Sequence, residues 1–98
     1  MVIVVKNEEE FEQRLKGGDK DISVKVVKTI LDNLNTEKRF IHVLEIHLEE
    51  TDLVVDITAD RNDFYSTLEK NMGTLIHHEE YELCAQIQEA LKKLPPPN

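Results

Sequence analysis

Two short stretches in the middle of the chain alternate apolar and polar residues, and they limit the fold more than any other feature. Phe40, Leu44, Ile46 and Leu48 alternate with Glu45, His47 and Glu49, while Leu53, Val55 and Ile57 alternate with Val54, Asp56 and Thr58. A period of two belongs to a half-buried strand, so residues 40–59 read as an antiparallel β-hairpin around Glu49-Glu50-Thr51-Asp52. The competing reading is a helical stripe through Phe40, Val43, Leu44, His47 and Leu48. The turn has no glycine, which favours a four-residue loop built on a type I turn over a two-residue primed turn. Pairing Leu48 with Leu53 sets 46 against 55 and 44 against 57 on one apolar face. The same register sets Glu45 against Asp56 on the other face, an unfavourable like-charge pair.

Helical signals flank this hairpin. Val2–Val5 is β-branched throughout and reads as a short buried strand. Asn7 suits an N-cap with Glu10 three residues on, Phe11 and Leu15 share a helical face, and Gly17-Gly18 ends that helix. A second helix is expected to start near Asp21 or Ser23. It carries Val24, Val27, Ile30, Leu31 and Leu34 on one face and Lys25, Lys28 and Asp32 on the other. From Asp63 onward the apolar spacing is helical again. Phe64, Leu68, Met72, Leu75 and Ile76 form one stripe, and Tyr81, Cys84, Ala85, Ile87, Leu91 and Leu94 form another. The polar His77-His78-Glu79-Glu80 between them predicts a tight antiparallel helical hairpin. Gly73 inside the first of these helices costs about 1 kcal/mol relative to alanine. The sum is an α+β chain: a short strand, two helices, a β-hairpin and a C-terminal helical hairpin. Its 98 residues suit a single small domain over 1–94, made of a body (1–60) and the hairpin (63–94). Pro95–Pro97 favour an extended tail over 95–98.

Charge narrows the functions. Twelve Lys+Arg stand against twenty Asp+Glu, a net charge of −8. Seven acids fall between Glu45 and Asp63, opposed only by Arg61. Phosphate backbones and anionic lipid surfaces attract the opposite charge, so direct nucleic-acid and membrane binding are not expected. The one cysteine, Cys84, cannot form an internal disulfide or a multi-cysteine metal site, and fits a reducing cytoplasm. The apolar run Met1–Val5 is too short for a signal-peptide core or a membrane span.

Few residues suggest chemistry. On a regular strand His42 and His47, five apart, fall on opposite faces, which is wrong for shared ligation. His77 and His78 read as solvated residues of the helical joint. Glu45, Glu49, Asp52 and Asp56 are expected to share an acidic hairpin face. Paired carboxylates can serve acid–base work or bind a hard cation. No glycine-rich phosphate loop and no Ser–His–Asp grouping accompanies them, so a solvated acidic face is the expected reading, with no catalytic residue, cofactor or metal. Cys84, on an apolar stripe, reads as a packed thiol.

The last third carries one resemblance. Leu68, Met72, Ile76, Glu80-Tyr81-Glu82, Cys84-Ala85, Ile87, Leu91 and Leu94 resemble the UVR motif, with Tyr-Glu-x-Cys-Ala as the most specific step. That motif is the small helical hairpin of excision-repair subunits and of McsA-type activators of protein arginine kinases. Ile87-Gln88-Glu89 stands where the family has aliphatic-Arg-Asp. The resemblance implies a non-catalytic adaptor or regulatory protein that binds a protein partner, often through another hairpin of the same type, a homodimer being one such pairing. The contact residues it implies are Leu68, Met72, Tyr81, Glu82, Leu83, Ile87 and Leu91. The alternatives are an acidic inhibitor or DNA mimic, and a small metal-binding protein.

Overall fold

The computed structural model describes residues 1–96. Strand β1 (Val2–Val5) leads into helices α1 (Glu8–Lys16) and α2 (Lys20–Asp32). Strands β2 (Phe40–Leu48) and β3 (Leu53–Asp60) follow, then a single 3-10 turn (Arg61–Asp63) and helices α3 (Phe64–His77) and α4 (Tyr81–Lys93). The fold is mixed α+β. Pro97 and Asn98, the end of the expected tail, lie outside the described residues.

The hairpin forms in the register that the alternation predicts. Leu48 faces Leu53, Ile46 faces Val55, Leu44 faces Ile57, and Glu45 faces Asp56. The loop Glu49–Asp52 has four residues, and Asp52 takes φ 53°, a left-handed conformation that aspartate tolerates better than most side chains. One feature departs from a regular strand. His42 pairs with Thr58 but Leu44 pairs with Ile57, so Val43 is an extra residue, a β-bulge. Both Val43 and Leu44 are buried as a result. The bulge changes which side chains face out. Phe40, expected on the inner face, is 57% exposed, and His42 and His47 share the outer face instead of opposing one another.

β1 pairs in parallel with β2, giving the sheet order β1-β2-β3. A parallel pair needs a crossover, and α1 and α2 supply it. The expectation of a fully buried β1 is corrected. Ile3 and Val5 are buried, but Val2 and Val4 are 54% and 56% exposed. Helices cover only one face of this sheet, so every second residue of the strand meets solvent.

α2 begins earlier than expected. Asp19 is its N-cap and accepts the Ile22 N–H at 3.0 Å. Ser23 is therefore an interior, buried residue, whose hydroxyl donates to Asn71 Oδ1 of α3 at 2.7 Å. Partial burial works to raise the Asp19 pKa. Hydrogen bonds from the Ile22 N–H and the Arg14 guanidinium, together with the Arg14 charge, outweigh it and hold the carboxyl below its usual range.

Two apolar clusters meet at α2. One joins Ile3, Val5, Val43, Leu44, Ile46 and Leu48 of the sheet to Ile22. The other joins Val27 and Ile30 to Phe64, Leu68 and Leu75 of α3 and to Leu83, Cys84, Ile87 and Ala90 of α4, with Ile41 at its sheet end. The helical hairpin thus shares a core with the body. Its stripes are rotated from the expected ones: Ile76, Tyr81 and Ala85 are exposed, and Leu83 and Ala90 are inside. The joint is His78–Glu80, because His77 still belongs to α3. Glu79 N–H donates to Ile76 O and Glu80 N–H to Leu75 O, with Glu79 at φ 60°. Those bonds make a Schellman ending with glutamate in the place that glycine usually takes.

Arg61 organises the crossing from sheet to helices. Its guanidinium donates to Lys38 O at 2.7 Å, Asn33 O at 2.8 Å and Thr36 Oγ1 at 2.7 Å, and lies 4.8 Å from the Phe64 ring centroid. One side chain thereby holds the connection between α2 and β2, stacked over the core.

Candidate functional site

The structure offers three surfaces on which sequence-predicted residues can act: the hairpin tip, the open face of the sheet, and the free edge of β3.

Of the seven residues implied as partner contacts, Leu68, Leu83 and Ile87 are buried in the core shared with α2. They hold the hairpin in place and are closed to a partner, which corrects their expected role. Met72 and Leu91 are half-buried, while Tyr81 and Glu82 are exposed. Tyr81 is 61% exposed and Ile76 50%, on either side of the joint. Tyr81, Leu83 and Leu91 do not share one accessible surface, because Leu83 points inward. The joint itself is tied down: His78 Nε2 lies 3.1 Å from Gly18 O, and Lys20 Nζ lies 3.2 Å from Glu80 Oε1. Cys84 is buried, and burial followed by the Glu80 charge raises its pKa. That keeps it a thiol at neutral pH and a poor nucleophile.

On the open face the bulge at Val43 brings His42 beside Asp56, with His42 Nε2 3.3 Å from Asp56 Oδ1. His47 Nε2 lies 3.5 Å from Glu45 Oε2. His42, Glu45 and Asp56 each place one donor atom within 4.8 Å of the others. These three are the described residues that could converge on a divalent ion, and all are solvent-accessible. Glu49 and Asp52, expected on the same acidic face, stand instead in the four-residue loop at the end of the hairpin. The acidic face therefore divides into a mixed histidine–carboxylate group and an acidic turn. It lacks the continuous row of carboxylates that mimicry of a DNA backbone requires.

Apolar side chains accompany these charges. Val2 and Val4 of β1 flank Glu45 and His47, and Val54 of β3 lies across from His47. Leu53 and Val54 are 57% and 58% exposed. On the helical side of the sheet a groove of about 290 Å³ runs between α1 and β3, lined by Phe11, Leu15, Ile46, Leu48, Val55 and Ile57, with Glu8 and Glu12 also in its wall.

Sequence reasoning missed the bulge, the Arg61 clamp and the exposed β3. Signals for two of them are visible in retrospect. Val43-Leu44 breaks the alternation with two apolar neighbours, and Leu53-Val54-Val55 does so with three. Arg61 stands as the lone base of an acidic run, but nothing in that run shows which carbonyls it reaches.

No family model, curated protein or solved structure matches the chain. No helix among the described residues is long and apolar enough to cross a membrane.

Proposed function

We propose that this chain is a non-catalytic protein-binding module, an adaptor or regulatory subunit, acting in the cytoplasm. The observation that carries the reading is the grouping of exposed apolar side chains in an otherwise strongly charged molecule. Val2, Val4 and Val54 share the open face on either side of Glu45 and His47, and each is more than half exposed. Single exposed apolar residues are ordinary, but a contiguous group framed by charge is a feature of contact surfaces. The resemblance of residues 64–94 to the UVR hairpin supports the same class of function. On that hairpin Tyr81, Glu82, Met72 and Leu91 retain access to solvent, so the tip around Tyr81 is the second contact point of this reading.

The test is affinity capture from native lysate with tagged protein, comparing the wild type with Val54→Lys and Tyr81→Ala. Partners should be lost from one or both variants while circular dichroism stays unchanged. Capture that is indifferent to both substitutions, or no capture by the wild type, removes the reading.

A further inference from the structure

We propose that the free edge of β3 is a strand-addition site for an extended partner segment in which apolar residues alternate with Lys or Arg. The proposal rests on the protein-binding reading above and names the chemistry of the partner.

β3 hydrogen-bonds to β2 on one side only. Its other edge presents unpaired backbone N–H and C=O groups along Leu53–Asp60, a template for another strand. Proteins commonly blunt such an edge with lysine, proline, a bulge or a covering helix. β3 has no Lys, Arg or Pro in its eight residues, and the hairpin's bulge lies on β2. Its first four residues are all exposed.

The two sides of the edge differ, and the difference specifies the alternation. Towards the helices, Val55 and Ile57 continue into the groove whose far wall is Phe11 and Leu15. An added strand would set every second side chain there, against apolar surface that the fold leaves uncovered. Successive side chains point to opposite faces, so the intervening ones would emerge beside Asp56 on the open face. The side-chain partner of Asp56 is His42, and Glu45 faces it across the ladder. No Lys or Arg pairs with Asp56 among the described residues. Glu49, Glu50 and Asp52 add negative charge at the turn. A basic side chain at alternate positions matches this field, while main-chain hydrogen bonds supply affinity.

A second copy of the chain fits less well. It carries the same net charge of −8, and its own β3 brings Asp56 and Asp60 to places where the field asks for bases.

The experiment uses the full chain and three labelled synthetic peptides. The first is acetyl-Lys-Val-Arg-Ile-Lys-Val-Lys-amide. The second has Glu at each basic position, and the third keeps the bases but replaces each apolar residue with Pro, which cannot join a ladder. Fluorescence anisotropy should show the first bound at least about tenfold more tightly than either control, with affinity falling as salt rises. Amide exchange should slow over 53–60 and remain unchanged over 2–5. Val55→Lys, on the groove side, and Asp56→Lys, on the open side, should each weaken binding by about tenfold or more, with Gln88→Ala, an exposed change on α4, as the unaffected control. Equal binding of the Pro peptide, or protection on β1 instead of β3, overturns the proposal. So does a peptide-free dimer with protected 53–60 amides, which would assign the edge to a second copy. If no peptide binds while lysate capture still depends on Val54 or Tyr81, strand addition fails and the protein-binding reading stands.

Discussion

The two faces of the sheet are made from the same three strands and behave as different materials. Ile3 and Val5 are 4% and 1% exposed, while Val2 and Val4, their chain neighbours, are both more than half exposed. One helical layer accounts for the difference. α2 and the hairpin docked on it cover β1 and β2 on the inner face, and no described residue covers the outer one. Apolar character in a strand therefore reports propensity, and only the layer above it decides whether that character contributes to stability or is left for contact.

The comparison makes its largest prediction at the sealed face. Phe64 is fully buried between α2, α3 and the Arg61 guanidinium. Phe64→Ala should cost about 3–5 kcal/mol, since it removes apolar burial and leaves a cavity. Urea denaturation with a constant slope measures this. A cost within that of an ordinary surface change would mean that the helical layer is not packed as described.

Arg61→Ala comes next, at about 1–3 kcal/mol. The loss leaves the carbonyls of Asn33 and Lys38 without their charged donor. The local readout is faster amide exchange over residues 33–39, which loss of the Phe64 contact alone would not produce.

Asp19 tests how α2 is started. Asp19→Ala should cost about 1 kcal/mol by removing the N-cap. Its folded-state pKa is depressed, so the folded state binds the proton less readily than the unfolded chain does. The stabilisation is therefore complete above the ordinary carboxylate value of 3.8 and is lost as pH falls through and below it. Stability curves of wild type and Asp19→Asn, measured from neutral pH downward, should converge in that acid range. Curves that stay parallel would remove the linkage.

Much of this was legible in the sequence where a physical constraint is local. The register of Leu44, Ile46 and Leu48 against Ile57, Val55 and Leu53 follows from period-two alternation, because a one-residue slip would turn every apolar side chain to solvent. Asn7 and Gly18 mark the ends of α1 by capping chemistry alone. Long-range geometry was not legible. The Val43-Leu44 doublet interrupts the alternation without saying which residue is the extra one, yet that one residue moves His42 to the face of Glu45 and Asp56. Leu83 and Tyr81 are two apart on one helix, and their opposite fates depend on where α2 lies. The candidate site was legible only as residue types: Glu45 and Asp56 were foreseen as opposed, whereas the free edge of β3 depends on strand order.

Two helix ends sharpen the contrast inside the covered layer. α1 and α3 both close with Schellman hydrogen bonds, Asp19 N–H to Arg14 O in one and Glu80 N–H to Leu75 O in the other. The left-handed residue is Gly18 at φ 69° in the first and Glu79 at φ 60° in the second. Gly18→Ala should destabilise by about 1 kcal/mol, because a Cβ disfavours that conformation. Steric contact adds little, since the new atom would sit 3.4 Å from Thr74 Oγ1. Glu79→Gly should stabilise by less, roughly 0.5 kcal/mol, as relief of strain is partly offset by the freer unfolded chain. Thermal melts of the pair should move in opposite directions.

The smallest effect belongs to the open face, and there its smallness is informative. Val4→Thr and Val54→Thr keep β-branching and strand propensity while removing apolar surface. On a sealed face such a change would bury a hydroxyl with no partner and cost about 1–3 kcal/mol. On this face both residues already meet water, so stability should change by less than about 0.5 kcal/mol. A loss near that of a buried site, with Ile3 and Val5 as the reference positions, would show that something covers the outer face in solution. Dilution would then separate the cases. Destabilisation that grows as protein concentration falls identifies a second copy as the cover, whereas a concentration-independent loss places the cover within the chain.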